Sequence, residues 1–315
     1  MSICLLTASP QADTPPVCLM PPLSSPDTHT GATPVTVLRA TPGGIARRDD
    51  AVATEEPLEI RVSYEKKGGI RVARSVSVTM RTPGNDAELA AGFLFGEGIV
   101  REGAQIEEII AGTGTAEANT VLVRLVAGTE VDLGSLERHF YTTSSCGVCG
   151  KTSIEALRLK CRVLQPADGP VMDVATLLAL PGTLRGAQSA FDRTGGLHGA
   201  GLFECSGGLV CAREDVGRHN AVDKVIGAQV MAGAMPLGGT ALVVSGRASF
   251  ELMQKALMAG IPFLVAVGAP SSLAVKLARQ FGATLVGFVR DGRLNVYSGA
   301  HRVLGAENGL PPEAA

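Results

Sequence analysis

Three features of the sequence predict an α/β fold. Unbroken apolar runs, "TALVVSGR" and "PFLVAVGAP", are each followed by an amphipathic stretch, "ASFELMQKALMAG" and "SLAVKLARQFG". Runs of the first kind are strands buried on both faces, and the helices between them cover those faces, so the sheet is at least partly parallel. Apolar residues make up 45% of the chain against 18% charged, enough to bury a sizeable core. The 39 glycines suit tight turns and close backbone approaches.

The elements follow in chain order. Residues 1–34 are rich in Pro, Ser and Thr, a composition that cannot bury enough surface to offset ordering, and are expected to be a disordered tail. "PLEIRVSY" and "RVARSVSVTMR" alternate apolar and polar residues as half-buried strands do, with "KKGG" as the turn between them. "PGNDAELAAGFLFGEGIV" is expected to be helical, capped by Asp86, with Leu89, Phe93 and Leu94 as its apolar stripe. "NTVLVRLV" is another strand. These make a small α+β domain over residues 35–140. A mobile loop is expected over 141–152, then an α/β domain over 153–303 and a C-terminal tail over 304–315.

Within the second domain, "SIEALRLK" is expected to be a helix, and residues 171–191 a longer one interrupted at Pro181-Gly182. "GLHGAGLFE" and "GLVCARED" form a hairpin, and "GRHNAVDKVIGAQVMAG" a helix. After the two strand–helix pairs, "TLVGFVRDGRLNVYS" closes the domain as a hairpin turning at Asp291-Gly292. No internal repeat is evident.

Composition excludes some functions. The formal net charge is -2 with both signs interspersed, so no broad basic surface for nucleic acid is expected. No apolar run approaches the ~18 to 20 residues that span a bilayer. No basic residue precedes Arg39, so no secretory leader is expected. Seven cysteines, an odd count, argue against a disulfide framework and for a reducing, cytoplasmic setting.

The chemistry concentrates in "TTSSCGVCGKTSIE". Cys146 and Cys149 are three apart among glycines and hydroxyl residues. A structural zinc site needs four ligands, usually two close pairs. None of Cys161, Cys205, Cys211, His198 or His219 forms a second tight pair, so no metal is expected. A thioredoxin-type dithiol fits only in part, because "ERHFYTTSS" is a poor strand. A reactive thiol fits better. A thiolate is favoured by a helix start and a cation, and Thr152, Glu155 and Lys151 supply both. The bland alternative is two incidental cysteines in a Gly-rich turn, but buried structural cysteines usually sit in apolar sequence.

Three other segments carry polar density. "REDVGRHNAVDK" puts His219 and Asp223 on one helix face, and Asn220 and Lys224 on another. It is either a salt-bridged helix start or a polar site at a strand's carboxyl end. "SGRAS" and "GAPSS" each sit where a strand ends and a helix begins, where free N–H groups favour phosphate oxygens. Ser245 and Arg247 belong to the first. Arg290 and Arg293 flank the last turn and can hold phosphate bidentately, or be solvated turn charges. His198 lies among glycines, and Ala200 stands where the H-x-E pattern of nucleobase deaminases needs Glu, so deamination is not expected.

Seven stretches together resemble the formate dehydrogenase accessory sulfurtransferases (the FdhD family): "RTPGNDAELAAGFLFGEGIV", "SSCGVCGK", "TGGLHGAGL", "REDVGRHNAVDK", "SGRASFE", "GAPSSLAVKLA" and "GFVRDGRLNVYS". They run in family order over residues 35–303. "RVSYEKKGGIRVARS" departs from the short Asn-Gly turn usual there. The resemblance implies a cytidine-deaminase-like three-layer domain without the deaminase zinc, a smaller N-terminal α+β domain, and a homodimer. It implies a sulfur carrier that takes persulfide sulfur from a cysteine desulfurase. The sulfur passes to the molybdenum (or tungsten) bis-guanine-dinucleotide cofactor, a bound substrate, for the formate dehydrogenase catalytic subunit. Carried over, Cys146 holds the persulfide and Cys149 assists. Phe288, Val289, Arg290, Asp291, Gly292 and Arg293 line the nucleotide site, with Ser245, Arg247 and His219 as further contacts. The alternatives are a dithiol oxidoreductase using Cys146 and Cys149, or a chaperone that delivers the cofactor without moving sulfur.

Overall fold

The computed structural model describes residues 31–66, 68–112, 118–131, 163–164 and 169–305. Cys146, Cys149, Lys151 and the expected helix "SIEALRLK" lie outside the described residues, as do residues 1–30.

The chain enters through a two-stranded antiparallel ribbon, β1 (Ala32–Thr41) and β2 (Gly44–Ala53). The sequence reading missed this ribbon and ended the tail at residue 34, but the strand starts at Ala32. Exposed charges fill positions where a half-buried strand would alternate, so no core-facing period marks it. A four-stranded sheet follows, in the order β4-β3-β6-β5. It comprises β3 (Glu56–Glu65), β4 (Arg71–Arg81), β5 (Ile106–Ala111) and β6 (Thr120–Leu125). β3 and β4 pair antiparallel with one bulge between Ile60 and Arg61, and β3 and β6 run parallel. Despite its unusual turn, this hairpin keeps Leu58, Ile60 and Val62 fully buried on one face.

Helix α1 (Asp86–Gly96) lies between the β3–β4 hairpin and β5. Its N-cap is Asn85 in a left-handed conformation, not Asp86 as expected. Asp86 is held instead by Arg81, which donates to both its oxygens at 3.0 and 2.9 Å. Leu89 and Leu94 are buried as the stripe predicted, while Phe93 is half-buried.

The larger sheet has six strands in the order β13-β12-β11-β10-β8-β9. Its core is β10 (Thr240–Val244), β11 (Phe263–Ala266) and β12 (Thr284–Arg290), parallel to one another as the apolar runs predicted. The hairpin β8 (His198–Glu204) and β9 (Leu209–Asp215) adds antiparallel at one side. β13 (Arg293–Ser298) adds antiparallel at the other, across the turn at Asp291 and Gly292, both at positive φ. Two further strands, β7 (Met172–Asp173) and β14 (Val303–Leu304), form a short parallel pair.

Both faces of this sheet are covered. On one lies α2 (Val174–Gly186), whose Leu177, Leu180 and Leu184 pack on Phe203, Val243 and Val265. The expected break at Pro181-Gly182 is absent: α2 runs through Pro181 and ends at Gly186, before the short α3 (Ser189–Thr194). An interior proline costs about 3 kcal/mol. Three leucines on one face, each buried to 1% or less, offset that at ~1.5 to 3 kcal/mol apiece. The other face carries α4 (Arg218–Met231), α5 (Phe250–Met258) and α6 (Ser272–Phe281). Ser249 and Ser271 cap the last two, accepting from Leu252 N and Ala274 N.

α1 packs on α4 and carries the four-stranded sheet with it, so one hydrophobic core runs from Leu58 to Leu285 across both expected domains. The two helices nearly touch along their backbones. A Cβ on Gly92 would stand 1.9 Å from Asp223 O, and one on Gly227 1.8 Å from Glu88 O. Only glycine fits at this crossing. Gly227→Ala is expected to destabilise the protein by about 3 kcal/mol, through forced separation of α1 and α4. Gly186→Ala, where a Cβ meets nothing within 4 Å, is expected to be neutral or to stabilise by up to about 1 kcal/mol. Urea unfolding midpoints of the two variants test the contrast.

Candidate functional site

"REDVGRHNAVDK" folds into β9 and the start of α4, and most of its polar residues bond inward. Arg213 donates from Nε and Nη2 to the two oxygens of Glu88 on α1. The Glu214 carboxylate accepts from Ala190 N and Phe191 N at 2.9 and 2.7 Å, closing the N-terminus of α3. Asp215 is fully buried. It accepts from Lys224 Nζ at 2.8 Å, Thr82 N at 3.2 Å, Gly217 N at 2.8 Å and Asn220 Nδ2 at 3.1 Å. Lys224 Nζ also donates to Thr82 O at 2.8 Å. Asp223 pairs with Lys255 at 2.7 Å, where burial pushes its carboxyl above the usual carboxylate range. Of the two readings left open, the salt-bridged one accounts for these residues. They weld the β4–α1 segment to the larger sheet.

The cleft lies on the other side of this weld. It encloses about 730 Å³ between α2, the loop around Gly195, the ends of β8 and β10, and the β12–β13 turn. Ser245, Val289, Arg290, Asp291 and Gly292 line it, so two of the predicted segments meet there. Ser245 sits at the carboxyl end of β10, and its Oγ accepts from Gly199 N at 2.9 Å. Phe288 adopts φ 54° in the irregular stretch between Gly287 and Arg290, beneath the Arg290 guanidinium at 5.6 Å. That kink keeps Val289 buried to 1% while Arg290 points out to the rim.

Other predicted residues lie elsewhere. Arg247 and Arg293 are exposed and do not line the cleft. His219 is turned toward α5, 3.4 Å from Ser249 Oγ and 3.9 Å from Glu251. "GAPSS" does not line the cleft either. It braces the neighbouring loop, with Gly268 N donating to Gly246 O and Ser271 N to Ala248 O.

Among the lining residues that sequence reasoning missed are Arg185, Phe191, Gln188 and His198. Arg185 stacks over Phe191 at 4.6 Å from the ring centroid, and both line the cleft opposite Arg290. Gln188 is 3% exposed and packs where a Cβ on Gly199 would stand 2.5 Å from its side chain. His198, set aside as a lone structural histidine, opens β8 opposite Asp215 and forms part of the floor. Burial, then the nearby Arg218 charge, lowers its pKa, which favours the neutral ring. The one available signal was the glycine pair flanking it in "GLHGA".

The two described cysteines face opposite cores. Cys205 packs on the α2 side and Cys211 on the α4 side, so the β8–β9 hairpin separates them. Burial pushes the Cys205 thiol up to about 11 and raises Cys211 as well. Among the described residues, no group of three His, Cys, Asp or Glu side chains is placed to hold a metal ion. Nor is any helix there long and apolar enough to cross a membrane.

A mixed α/β protein with a ligand-sized cleft rimmed by two arginine–aromatic stacks is the class defined so far. The model of the FdhD/NarQ family matches residues 53–304, and the chain belongs to that family. It is 50% identical over 273 residues to a protein of Streptomyces avermitilis named sulfur carrier protein FdhD, covering 85% of this chain and 94% of that one. It is 52% identical over 272 residues to a protein of the same name from Mycolicibacterium paratuberculosis, covering 85% and 97%. A crystal structure from Desulfotalea psychrophila, provisionally assigned as a formate dehydrogenase accessory protein, superposes with a TM-score of 0.66. The two are 27% identical over 87% of this chain and 99% of that one.

Burial pushes His219 down to about 4, with Arg218 and Lys255 adding to the effect, from an ordinary value of 6.5. A histidine depressed in the folded state binds its proton more readily when unfolded. Its contribution is whole above pH 6.5 and is lost as pH falls toward 4. His219→Gln removes that loss. Relative to the wild type, this variant is expected to gain about 2 kcal/mol in stability between pH 7 and pH 5. Urea unfolding of both proteins at the two pH values measures the change.

Proposed function

We propose that this protein is a sulfur carrier in formate dehydrogenase maturation. In this reading Cys146 receives sulfane sulfur from a cysteine desulfurase. The Cys146 thiolate attacks the outer sulfur of the donor's persulfide, and the donor's thiolate leaves. The chain then presents that sulfur to a molybdenum or tungsten bis-guanine-dinucleotide cofactor, which is cargo and substrate, destined for the formate dehydrogenase catalytic subunit. Cys149 assists by resolving or orienting the persulfide. The names of the relatives support the carrier role, and the resemblance supplies the cofactor.

The observation that carries the cofactor half is the cleft. Its volume of about 730 Å³ falls in the range of small-molecule sites. Arg185 and Arg290 stand at its rim, each stacked on an aromatic ring. Guanidinium groups suit phosphate oxygens, and their stacked faces suit a planar base. The neutral His198 and the Ser245 hydroxyl on the floor can hydrogen-bond a polar group without adding charge. The order of the larger sheet, with β8 antiparallel between β9 and β10 and the next strands parallel, supports a cytidine-deaminase-like arrangement.

Incubation with a cysteine desulfurase and cysteine, followed by intact mass, tests the carrier half. A sulfur adduct is expected on the wild type and absent from Cys146→Ala. An adduct that survives Cys146→Ala refutes the assignment. A dithiol oxidoreductase instead requires Cys149 absolutely, so full function of Cys149→Ala in cells separates the two. Arg185→Ala with Arg290→Ala is expected to weaken guanosine diphosphate binding by at least about tenfold in calorimetry while leaving the adduct intact. Unchanged binding refutes the cleft as the nucleotide site.

A further inference from the structure

Gln188 is a buried polar side chain that the fold itself does not use. It stands in the short link between α2 and α3 and is 3% exposed. Its backbone is fixed on both sides. Its N–H donates to Arg185 O at 3.2 Å, and its carbonyl accepts from Asp192 N at 3.1 Å. As the N-cap of α3, its side chain would ordinarily take a free N–H of the first turn. It does not, because the Glu214 carboxylate accepts from Ala190 N and Phe191 N instead. Among the described residues, the Gln188 amide makes no hydrogen bond. A buried amide without a partner destabilises a fold, so this one calls for an explanation.

Packing holds that amide in the wall of the cleft. It lies on the backbone of Gly199, where a Cβ would stand 2.5 Å from both Gln188 Cδ and Nε2. Ser245 Oγ accepts from the N–H of the same glycine at 2.9 Å, which leaves its hydroxyl hydrogen to donate. Gln188 and Ser245 therefore bracket one residue, and both line the cleft. The charged lining residues lie further out. The side chains of Arg185, Arg290 and Asp291 are 48%, 52% and 75% exposed. Charge stands at the mouth, and uncharged polarity within.

A primary amide offers one carbonyl beside one NH₂ group. Its complement is a ring N–H beside a ring carbonyl, the edge that guanine presents through N1 and O6. We propose that Gln188 reads this edge, its NH₂ donating to guanine O6 and its carbonyl accepting from guanine N1–H. The base then enters the cleft first, and its phosphates stay at the mouth with Arg185 and Arg290. The assignment rests on the cleft being the nucleotide site. It adds which end of the nucleotide lies inside and which side chain selects it. A site that leaves an amide unpaired without its ligand discriminates strongly against analogues that cannot pair with it.

Calorimetry on the full chain, wild type and Gln188→Met, tests this with guanosine diphosphate and its N1-methyl derivative. The methyl group removes the ring donor, and Met keeps the length of Gln while removing both of its hydrogen-bonding groups. The wild type is expected to bind guanosine diphosphate at least about tenfold more tightly than the N1-methyl form. In Gln188→Met that preference is expected to shrink to within about twofold. A Gln188 that only packs would lower both affinities and keep their ratio. The proposal is overturned if the preference survives in Gln188→Met. It is overturned too if the wild type binds the two nucleotides equally, a comparison that stands even where the variant does not fold. Equal binding that still weakens in Arg185→Ala with Arg290→Ala removes the role of Gln188 and leaves the cleft as the nucleotide site. No binding of guanosine diphosphate to the wild type overturns both.

Discussion

Much of this structure hangs on one buried ion pair, Asp215 with Lys224. The carboxylate is fully buried and the lysine is 1% exposed. Removing two charges from water costs several kcal/mol each, and mutual attraction repays that only when the remaining lone pairs and protons are also satisfied. Here they are. Asp215 accepts from three further donors on β4's exit, on the turn before α4, and on α4 itself. Lys224 returns a bond to Thr82 O. One carboxylate thus fixes the end of β9, the entry to α4 and the segment leading into α1.

The close approach of α1 to α4 follows from that anchoring. With Thr82 and Glu88 both held by the β9–α4 region, the two helices are brought together where Gly92 and Gly227 leave no side chain between the backbones. The four-stranded sheet rides on α1, so its buried face joins the core of the larger sheet. His198 lies directly across from Asp215 in the β8–β9 ladder. The anchor that joins the two halves therefore also sets the floor of the cleft. Loss of one partner of such a pair usually costs about 3 to 5 kcal/mol, because the other charge stays buried.

What was legible in the sequence was local. The buried strands of the larger sheet were visible as unbroken apolar runs, and the last turn as Asp291-Gly292, because each signal is complete within a few residues. α2 was misread because Pro181 is a local signal, while the burial of Leu177, Leu180 and Leu184 that overrides it is tertiary. Asp86 looked like a cap because its alternative partner, Arg81, comes from β4. "REDVGRHNAVDK" was legible as dense polarity, but whether that polarity faced a ligand or the protein depended on Thr82 and Glu88, far away in sequence. The cleft was half legible. Ser245 and the 289–292 turn announced themselves at strand ends. Arg185 and Phe191 sit on helical surface, and Gln188 in the short link between α2 and α3, where nothing local distinguishes them from solvated positions.

The chemistry of the thiols narrows where sulfur can be carried. A persulfide acceptor must present a thiolate at neutral pH. Cys205, with its thiol pushed up to about 11, holds only about one part in ten thousand as thiolate at pH 7. Cys211 is raised too, and its sulfur accepts from Gln229 Nε2 at 3.5 Å inside the α4 core. Neither faces the cleft, and the hairpin keeps them apart. The burial that makes these two useful for packing makes them poor nucleophiles. A carrier built on this fold must take its sulfur on a cysteine from a segment without that apolar shell. "SSCGVCGK", built mostly of small and polar residues and ending on the cation Lys151, has the composition such a thiol requires.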